Sequence, residues 1–139
     1  MNVKQTWAGI SALVLSTAAF GADLTVTVSG LKAPGGQLNV SLFSTEASWN
    51  DEGRVVEAQQ VEVHEEIKVV VFENLAPGTY AIRLMHDENG NGKLDTNLFG
   101  IPKEGWGHSN NPRTIGPAKW EQAVFDLGDE DRTIVIRAR

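Results

Sequence analysis

The segment Gln37-Leu38-Asn39-Val40-Ser41-Leu42-Phe43 decides the fold class, because its side chains alternate between polar and apolar. Its leucine and valine side chains therefore share one face of an extended strand, and that face is expected to be buried. The preceding segment Leu24-Thr25-Val26-Thr27-Val28 alternates in the same way, and a Pro34-Gly35-Gly36 turn separates the two segments. This pattern predicts an all-β domain.

The segments that follow predict five further strands, which are Arg54–His64, Ile67–Phe72, Thr79–His86, Glu121–Leu127 and Thr133–Ala138. A polar connection at 44–53 contains Trp49 and has room for one helical turn, and the strands show no sustained helical period. Seven short strands with turn signals between them predict an antiparallel seven-stranded β-sandwich.

Residues 87–117 interrupt this pattern, since they are rich in Gly, Asn and Pro and have no sustained period. A structureless connection of this length is usually either functional or disordered. Phe99, Ile101, Trp106 and Ile115 lie inside it, and disordered segments are poor in such residues. We therefore expect an ordered loop that folds over one end of the sandwich and is pinned by its aromatic side chains.

The first 21 residues have the pattern of a signal peptide. Lys4 supplies a positive charge, the stretch from Trp7 to Phe20 is apolar apart from serine and threonine, and small residues precede a cut before Ala22. The apolar run is too short and too broken for a membrane span. We expect a periplasmic or secreted protein whose mature part, residues 22–139, is one β-sandwich domain.

The net charge and the cysteine content limit the classes of partner that the protein could bind. The chain has 139 residues, a formal net charge of −6 and no cysteine. Without Lys4 the mature part has 11 basic and 18 acidic side chains, hence 11 − 18 = −7. That balance argues against nucleic acid and anionic lipid, which need basic patches, and favours a protein or a small ligand as partner. The lack of cysteine excludes a disulfide framework and a lipid anchor on an N-terminal cysteine.

An oxygen-rich loop, Asp87-Glu88-Asn89-Gly90-Asn91-Gly92-Lys93-Leu94-Asp95, has the spacing of a twelve-residue calcium loop. Gly92 stands at the sharp turn, where positive φ is needed. The predicted Ca²⁺ ligands are the side chains of Asp87, Asn89, Asn91 and Asp95 and the backbone carbonyl of Lys93.

The loop departs from the calcium pattern at its twelfth position, where Leu98 replaces the usual bidentate glutamate. We therefore expect weak Ca²⁺ binding unless Glu104 or another residue folds back to complete the shell. The alternative interpretation is a tight turn, because Asp and repeated Asn-Gly also form hairpin turns and Asx-turns.

Three histidines are candidates for metal binding or catalysis, but no HxH or HExxH spacing brings two of them together. We expect His64 at the surface, and His86 at the rim of the sandwich, where a hydrogen bond would orient the loop. His108 lies close in sequence to Glu104, and together with the loop acids the two form an alternative site for a metal-dependent hydrolase.

Aromatic side chains allow two interpretations. Trp49 and Trp106 either anchor their loops on the core or grip a ligand, and the anchor is favoured because an ordered loop needs buried apolar area. Trp106 also forms, with Glu104 and His108, a candidate ligand-binding loop. The aromatic residues expected in the core of strands are Phe72, Trp120 and Phe125.

Several strings resemble known families. The segment Phe72–Ile82, which contains Leu75, Pro77-Gly78 and Tyr80, resembles a corner of prealbumin-like and carboxypeptidase-regulatory-type sandwiches. The strings His86–Asp95, Phe99–Gly107 and Ser109-Asn110-Asn111 are similar to the bacterial exported family DUF2141.

The resemblance to DUF2141 extends roughly from Gly36 to Ile136. It implies an exported all-β domain of prealbumin-like or immunoglobulin-like architecture, and it brings no catalytic residues. Position 108 departs from the pattern, because it is His where an aromatic residue such as Phe is expected.

Three functional hypotheses follow. The first is a non-enzymatic binding or accessory domain with a calcium-stabilised loop at 87–95. The second is the metal-dependent hydrolase, which requires its side chains to converge in a pocket. The third is a structural module that pairs with a partner through an edge strand.

Overall fold

The computed structural model describes residues 21–32, 34–51 and 53–139, so the predicted signal peptide lies outside the described residues. Within this part the chain forms eight strands and two short helices, and no helix there is long and apolar enough to cross a membrane. In chain order they are β1 Ala22–Ser29, β2 Gln37–Phe43, α1 Glu46–Asp51, β3 Glu57–Glu62, β4 Lys68–Leu75, β5 Gly78–Asp87, β6 Gly105–His108, α2 Trp120–Ala123, β7 Phe125–Leu127 and β8 Arg132–Arg137.

The strands form two facing sheets, which confirms the predicted all-β sandwich class. One sheet has the order β4-β1-β8, and the other has the order β3-β2-β5-β6, with β7 paired to β5. The expectation of purely antiparallel pairing is wrong for one pair, because β8 runs parallel to β1, with Leu24 opposite Arg132. Parallel neighbours need a long crossover, and β1 and β8 are separated by nearly the whole chain.

The alternation of apolar and polar residues along the strands determines which side chains form the core. Every second residue of β1 is buried, from Ala22 to Val28, and β2 buries Leu38, Val40 and Leu42 in the same way. Tyr80, Ile82 and Leu84 of β5 also point inward, as their spacing predicts. The strands therefore enclose one apolar layer between the two sheets.

A smaller cluster lies apart from the main core. Trp49 of α1 packs there with Phe43 of β2, Ala81 of β5 and Ala123 of α2. Phe43 and Trp49 meet edge to face at 5.3 Å between ring centroids. The two short helices are thus held against the β2–β5 pair by aromatic packing.

The strand count is eight instead of the predicted seven, because β6 lies inside the segment 87–117 that was expected to lack secondary structure. β6 pairs antiparallel with β5, with Arg83 opposite His108 and His86 opposite Gly105. Its sequence Gly-Trp-Gly-His has no apolar alternation, so no period-two pattern could indicate it.

The predicted strand Glu121–Leu127 is wrong in its first half, which belongs to helix α2, and only Phe125–Leu127 is strand. Trp120 was expected inside a strand in the core. It lies instead in α2, half-buried, with its ring centroid 6.2 Å from that of Trp49. Phe72 and Phe125 are buried in strands, as predicted.

Candidate functional site

Asp87 ends β5 and organises the oxygen-rich loop that follows it. Its side chain is only 1% exposed. The carboxylate accepts hydrogen bonds from the backbone N–H groups of Gly90 (2.9 Å), Asn91 (3.2 Å) and Gly92 (2.7 Å). Gly92 has φ 77°, which confirms the positive φ predicted there. The loop is therefore wrapped around one buried carboxylate.

Three more of the predicted ligand residues, Asn89, Asn91 and Asp95, are joined to one another by hydrogen bonds. The side-chain amide of Asn91 donates to Asp95 Oδ1 (2.8 Å), and that of Asn89 donates to Asp95 Oδ2. Asn89 Oδ1 accepts from the Asn91 N–H (3.1 Å), and Asn91 Oδ1 accepts from the Lys93 N–H (2.9 Å). These last two bonds are Asx-turns, the arrangement that the sequence offers as the alternative to a calcium loop.

Glu104 folds back onto this loop from the start of β6. It is 5% exposed, and its carboxylate accepts from the backbone N–H groups of Glu88 (3.0 Å) and Asp95 (2.9 Å). The Gly105 N–H in turn donates to Glu88 Oε1 (3.3 Å). An open depression of about 490 Å³ lies here, lined by Glu88, Asn89, Asp95, Thr96, Lys103 and Glu104. Glu104 thus closes the loop by holding its backbone at two points.

Residues 95–103 form a small hairpin that the sequence did not indicate. Two backbone hydrogen bonds join its arms. The Lys103 N–H donates to the Asp95 carbonyl, and the Asn97 N–H donates to the Ile101 carbonyl, both at 2.8 Å. Phe99 at its tip is 87% exposed. The prediction that aromatic side chains anchor the long loop is therefore wrong for Phe99. The carboxylates of Asp87 and Glu104 hold the loop instead, through hydrogen bonds to its backbone.

Among the described residues, no three His, Asp or Glu side chains form a group that could hold a metal ion. The acids with predicted roles in the loop instead accept hydrogen bonds from amides, as described for Asp87, Asp95 and Glu104. A cation here would depend on amide and carbonyl oxygens besides carboxylates, as the calcium pattern requires.

His108 lies at the opposite end of β6 from Glu104, about 13 Å along the strand at 3.3 Å per residue. Its ring centroid is 5.6 Å from that of Trp49 and 5.4 Å from that of Trp106. Burial, together with the positive charges of Arg83 and Arg139, lowers the pKa of His108 to about 4. The structure therefore does not bring Glu104 and His108 together.

Trp49 is 2% exposed and has the contacts of an anchor. Its indole N–H donates to the Ala118 carbonyl (3.0 Å), and the Arg83 guanidinium lies 4.4 Å from its ring centroid. Trp106 is half-buried, stacks edge to face on His108, and has the Arg139 guanidinium 5.8 Å from its ring. Trp106 thus leaves part of its ring at the surface.

The other two histidines differ in burial. His64 is exposed and lies 3.2 Å from a Glu62 oxygen, as expected for a surface residue. His86 was expected at the rim, but it is fully buried, because β5 continues to Asp87 and keeps residue 86 on the inward face. Its Nε2 lies 2.7 Å from the Gly35 carbonyl, so it ties β5 to the turn before β2.

Comparison with known proteins places the chain in a family. No curated protein and no solved structure matches it. A family model described as an uncharacterized protein conserved in bacteria (DUF2141) matches residues 26–135. The matched range runs from within β1 into β8 and includes the whole loop between β5 and β6. The chain therefore belongs to the DUF2141 family.

Proposed function

We propose that the protein is an exported, non-enzymatic binding module whose loop from Asp87 to Asp95 holds a calcium ion. The observation that carries this proposal is that Asn89 and Asn91 both donate to the Asp95 carboxylate, while the Asp87 carboxylate accepts from the Asn91 N–H. Residues in this loop are brought together at the offsets that calcium loops use.

Turning two side-chain amides, which gives up the bonds that Asn89 Oδ1 and Asn91 Oδ1 accept from backbone N–H groups, would convert this cluster into an oxygen shell. Rotation of the Asn89 and Asn91 amide groups exchanges their N–H₂ groups for carbonyl oxygens on the side that faces Asp95. Those oxygens and the carboxylate would then repel each other, and a hard cation relieves that repulsion. Asp87 accepts three hydrogen bonds, whereas a carboxylate offers about four lone-pair sites, so one remains for an ion.

The expected affinity is low, because the loop supplies two carboxylates, Asp87 and Asp95, and Leu98 is fully exposed at the twelfth position. Extracellular calcium modules bind with dissociation constants of about 10⁻⁴–10⁻³ M. Glu104 supports the loop through its backbone bonds, which lowers the ordering cost of ion binding. An exported protein would meet enough calcium to fill such a site.

Thermal unfolding of the purified protein in millimolar CaCl₂, in MgCl₂ and in a chelator tests the proposal. At about 10 mM calcium and a dissociation constant of about 10⁻³ M, binding adds about 1.4 kcal/mol to the free energy of unfolding, which raises Tm by several degrees in a domain of this size. We expect this rise with calcium only, because magnesium demands a stricter octahedral shell.

Asp95→Ala is the informative variant, because Asp95 accepts from side-chain amides at the surface and its loss leaves few buried groups without partners. It should abolish the calcium-dependent rise in Tm. Asp129→Ala removes the same charge from an exposed turn and should keep the rise. Equal Tm values in calcium and in chelator would refute the proposal and leave the loop as a turn.

The other two hypotheses have less support. A hydrolase would need Glu104 and His108 to meet, and they lie at opposite ends of β6. Strand addition would use the outer edges of β3 and β4, which have no partner strand among the described residues. Charged Glu57, Glu62 and Lys68 lie on these edges, and charged edges resist pairing.

A further inference from the structure

The outward face of the β4-β1-β8 sheet carries apolar side chains where a solvated sheet face is normally polar. On β4, Val69 is 53% exposed and Val71 is 38% exposed, and on β8 Val135 is 56% exposed. We call the six outward side chains at the middle of this sheet the valine–threonine face. They are Thr25 and Thr27 of β1, Val69 and Val71 of β4, and Thr133 and Val135 of β8. None of the six carries a charge.

The outward face of the other sheet is built differently. Its side chains include Asn39, Ser41 and Arg83, and the two short helices pack against it through the aromatic cluster around Trp49. Polar groups and helices thus occupy that face, whereas no described element covers the exposed valines of the valine–threonine face. A contiguous apolar face of this kind marks an interaction surface.

Opposite charges flank the valine–threonine face at equal distances along β8. The middle of the face on this strand is Ile134, and Asp131 and Arg137 lie three residues before and after it, about 10 Å away in each direction. Both side chains are exposed, and neither forms an ion pair within the described part of the chain. Asp131 Oδ1 accepts from the Asp23 N–H (2.8 Å), which holds the carboxylate beside β1. The face therefore has an acidic end and a basic end.

A two-fold rotation brings these opposite charges together. When the axis runs across the strands at the level of Ile134, β8 of one copy lies antiparallel over β8 of a second copy. Asp131 then faces Arg137 of the second copy, and Arg137 faces the Asp131 of that copy. A two-fold interface requires this self-complementarity, and the second copy supplies it at both ends.

The same rotation also matches the uncharged rows. Ile134 pairs with Val26 of β1, and Val26 pairs with Val70 of β4, so one line across the sheet marks the middle of all three strands. Residues on either side of this line exchange places in the second copy, which sets Val69 over Val71. The corresponding pairs on the other strands are Thr25 with Thr27 and Thr133 with Val135. The six central positions therefore bury no charge.

We propose that two copies of the chain form a dimer through the valine–threonine face, with their strands antiparallel. Packed sheets cross at about 30°, which displaces residues about 10 Å from the middle by about 5 Å. The long side chain of Arg137 spans such a displacement to reach Asp131. The proposal does not depend on the calcium loop, because that loop follows β5 of the other sheet.

The size of the face and the net charge of the chain make this dimer weak. Three strands about 4.8 Å apart and seven residues long offer about 300 Å² of sheet, whereas a stable interface buries about 800 Å² on each partner. The net charge of 11 − 18 = −7 on residues 22–139 also opposes association. Charges beyond about 8 Å are largely screened at physiological salt, so local contacts prevail there. We expect a dissociation constant of about 10⁻⁴–10⁻³ M, as for a transient interface.

Sedimentation equilibrium of the purified protein from about 10⁻⁵ M to about 10⁻³ M tests the proposal. We expect monomer at the lower limit and a mixture of monomer and dimer at the upper limit. Val135→Lys places an unpaired charge inside the face and should weaken association at least about tenfold. Val56→Lys is the matched control, because Val56 is 46% exposed outside the face and gains the same charge. It should associate as the unchanged protein does.

A charge-exchange experiment tests the symmetry. Asp131→Arg should weaken self-association at least about tenfold, because it sets positive side chains against each other at both ends of the interface. Arg137→Asp should do the same with negative side chains. An equal mixture of the two variants should recover the dimer, because every end contact in the mixed dimer again joins opposite charges. Thermal unfolding of each variant checks that it is folded.

Three results would overturn the proposal. The first is protein that stays monomeric at about 10⁻³ M, which would leave the face to a different partner. The second is a dimer that Val135→Lys does not weaken, because association would then use another surface. The third is failure of the mixed, folded charge variants to associate, because an antiparallel two-fold arrangement requires that they do.

Discussion

His108 is the residue whose surroundings have the clearest thermodynamic consequence. Its ring lies between two tryptophans, and burial lowers its pKa to about 4, with Arg83 and Arg139 contributing. An unperturbed histidine titrates near 6.5. Between about pH 4 and 6.5 the unfolded chain therefore binds more protons than the folded chain, so stability decreases as the pH falls through this window.

His108→Phe should remove this dependence, because phenylalanine fills the aromatic cluster without titrating. The contribution of His108 to the pH-dependent loss is at most about 3 kcal/mol, which corresponds to the shift from 6.5 to about 4. Urea unfolding at about pH 7 and about pH 4.5 measures it for both proteins. An equal loss of stability in both proteins would contradict the assignment to His108.

Tyr80 gives a second prediction at this scale. Its hydroxyl donates to the Ala76 carbonyl (2.6 Å), four residues upstream, and burial raises its pKa. This closes the corner between β4 and β5. Tyr80→Phe keeps the buried ring and removes only the bond, so it should lower the free energy of unfolding by about 1 kcal/mol. A change in urea midpoint with an unaltered m-value would confirm this, whereas no change in midpoint would show that the bond adds nothing net.

The sequence anticipates a residue's surroundings only when its partners are near in the chain. Asn89 and Asn91 both donate to Asp95, and Asp87 accepts from the Asn91 N–H, because a tight turn of backbone places these residues close together. The neighbours of His108 come from α1, β5 and β6, and no local pattern links these elements. The low pKa of His108 therefore could not be foreseen.

Among the elements, β6 depends most on its glycines. A β-carbon added at Gly107 would lie 3.1 Å from Ile136 Cγ2 and 3.2 Å from the Arg137 carbonyl. Both contacts are with β8 of the other sheet, so the missing side chain lets the two sheets approach each other at this edge. The Trp106 N–H and carbonyl also exchange hydrogen bonds with Arg139 (3.3 and 3.0 Å).

Gly107→Ala should therefore destabilise the domain by about 1–3 kcal/mol, the usual cost of overpacking a tight contact. Gly128→Ala is the control, because an added β-carbon there meets nothing within 4 Å. Thermal unfolding of both variants makes the comparison. If the two variants have the same Tm, β6 and β8 are not closely packed at this point.

Strands β1 and β2 could be predicted from the sequence, whereas β6 and α2 could not, and the difference has a physical cause. β1 and β2 have one buried face each, so their alternation is visible in the sequence. β6 is buried through glycine and close approach, which leaves no alternation. α2 was missed because its four residues are followed at once by β7, and the apolar spacing of the combined segment fits a strand.

At the scale of the whole molecule, Ser109-Asn110-Asn111 joins parts that are distant in the chain. Ser109 Oγ accepts from the Ile82 N–H of β5 (2.9 Å) and donates to the Ala123 carbonyl of α2 (2.5 Å). Asn110 donates to the Val124 carbonyl before β7 (2.8 Å). These three residues, which the sequence linked only to a family resemblance, are a junction between β5, α2 and β8.

Asn111 completes the junction at the outer edge of β8. Its Oδ1 accepts from the Arg137 N–H (2.7 Å), and its Nδ2 donates to the Val135 carbonyl (2.9 Å). The side-chain amide thus takes the place of a neighbouring strand on an edge that would otherwise be open. Asn111 also has φ 48°, a conformation that Asn and Asp tolerate better than other residues with a β-carbon.

Asn111→Asp isolates the hydrogen bonds, because Asp has the same shape and also tolerates positive φ. The carboxylate keeps the bond from Arg137 but loses the donor to Val135 and places one oxygen against another. We expect a loss of about 1–3 kcal/mol in the free energy of unfolding. Asn50→Asp, on the exposed side of α1, introduces the same charge and should change stability by about 0.5 kcal/mol or less.

Hydrogen exchange tests whether Asn111 protects β8 in particular. In Asn111→Asp the amides of β8 should exchange faster than in the unchanged protein, beyond the increase that the global loss of stability imposes on the buried amides of β1 and β2. Uniform acceleration across all strands would mean that the edge opens only when the whole domain unfolds. A local increase confined to β8 would mean that the Asn111 side-chain amide protects the backbone of this edge from opening. The opposite edge of β8 is paired with β1.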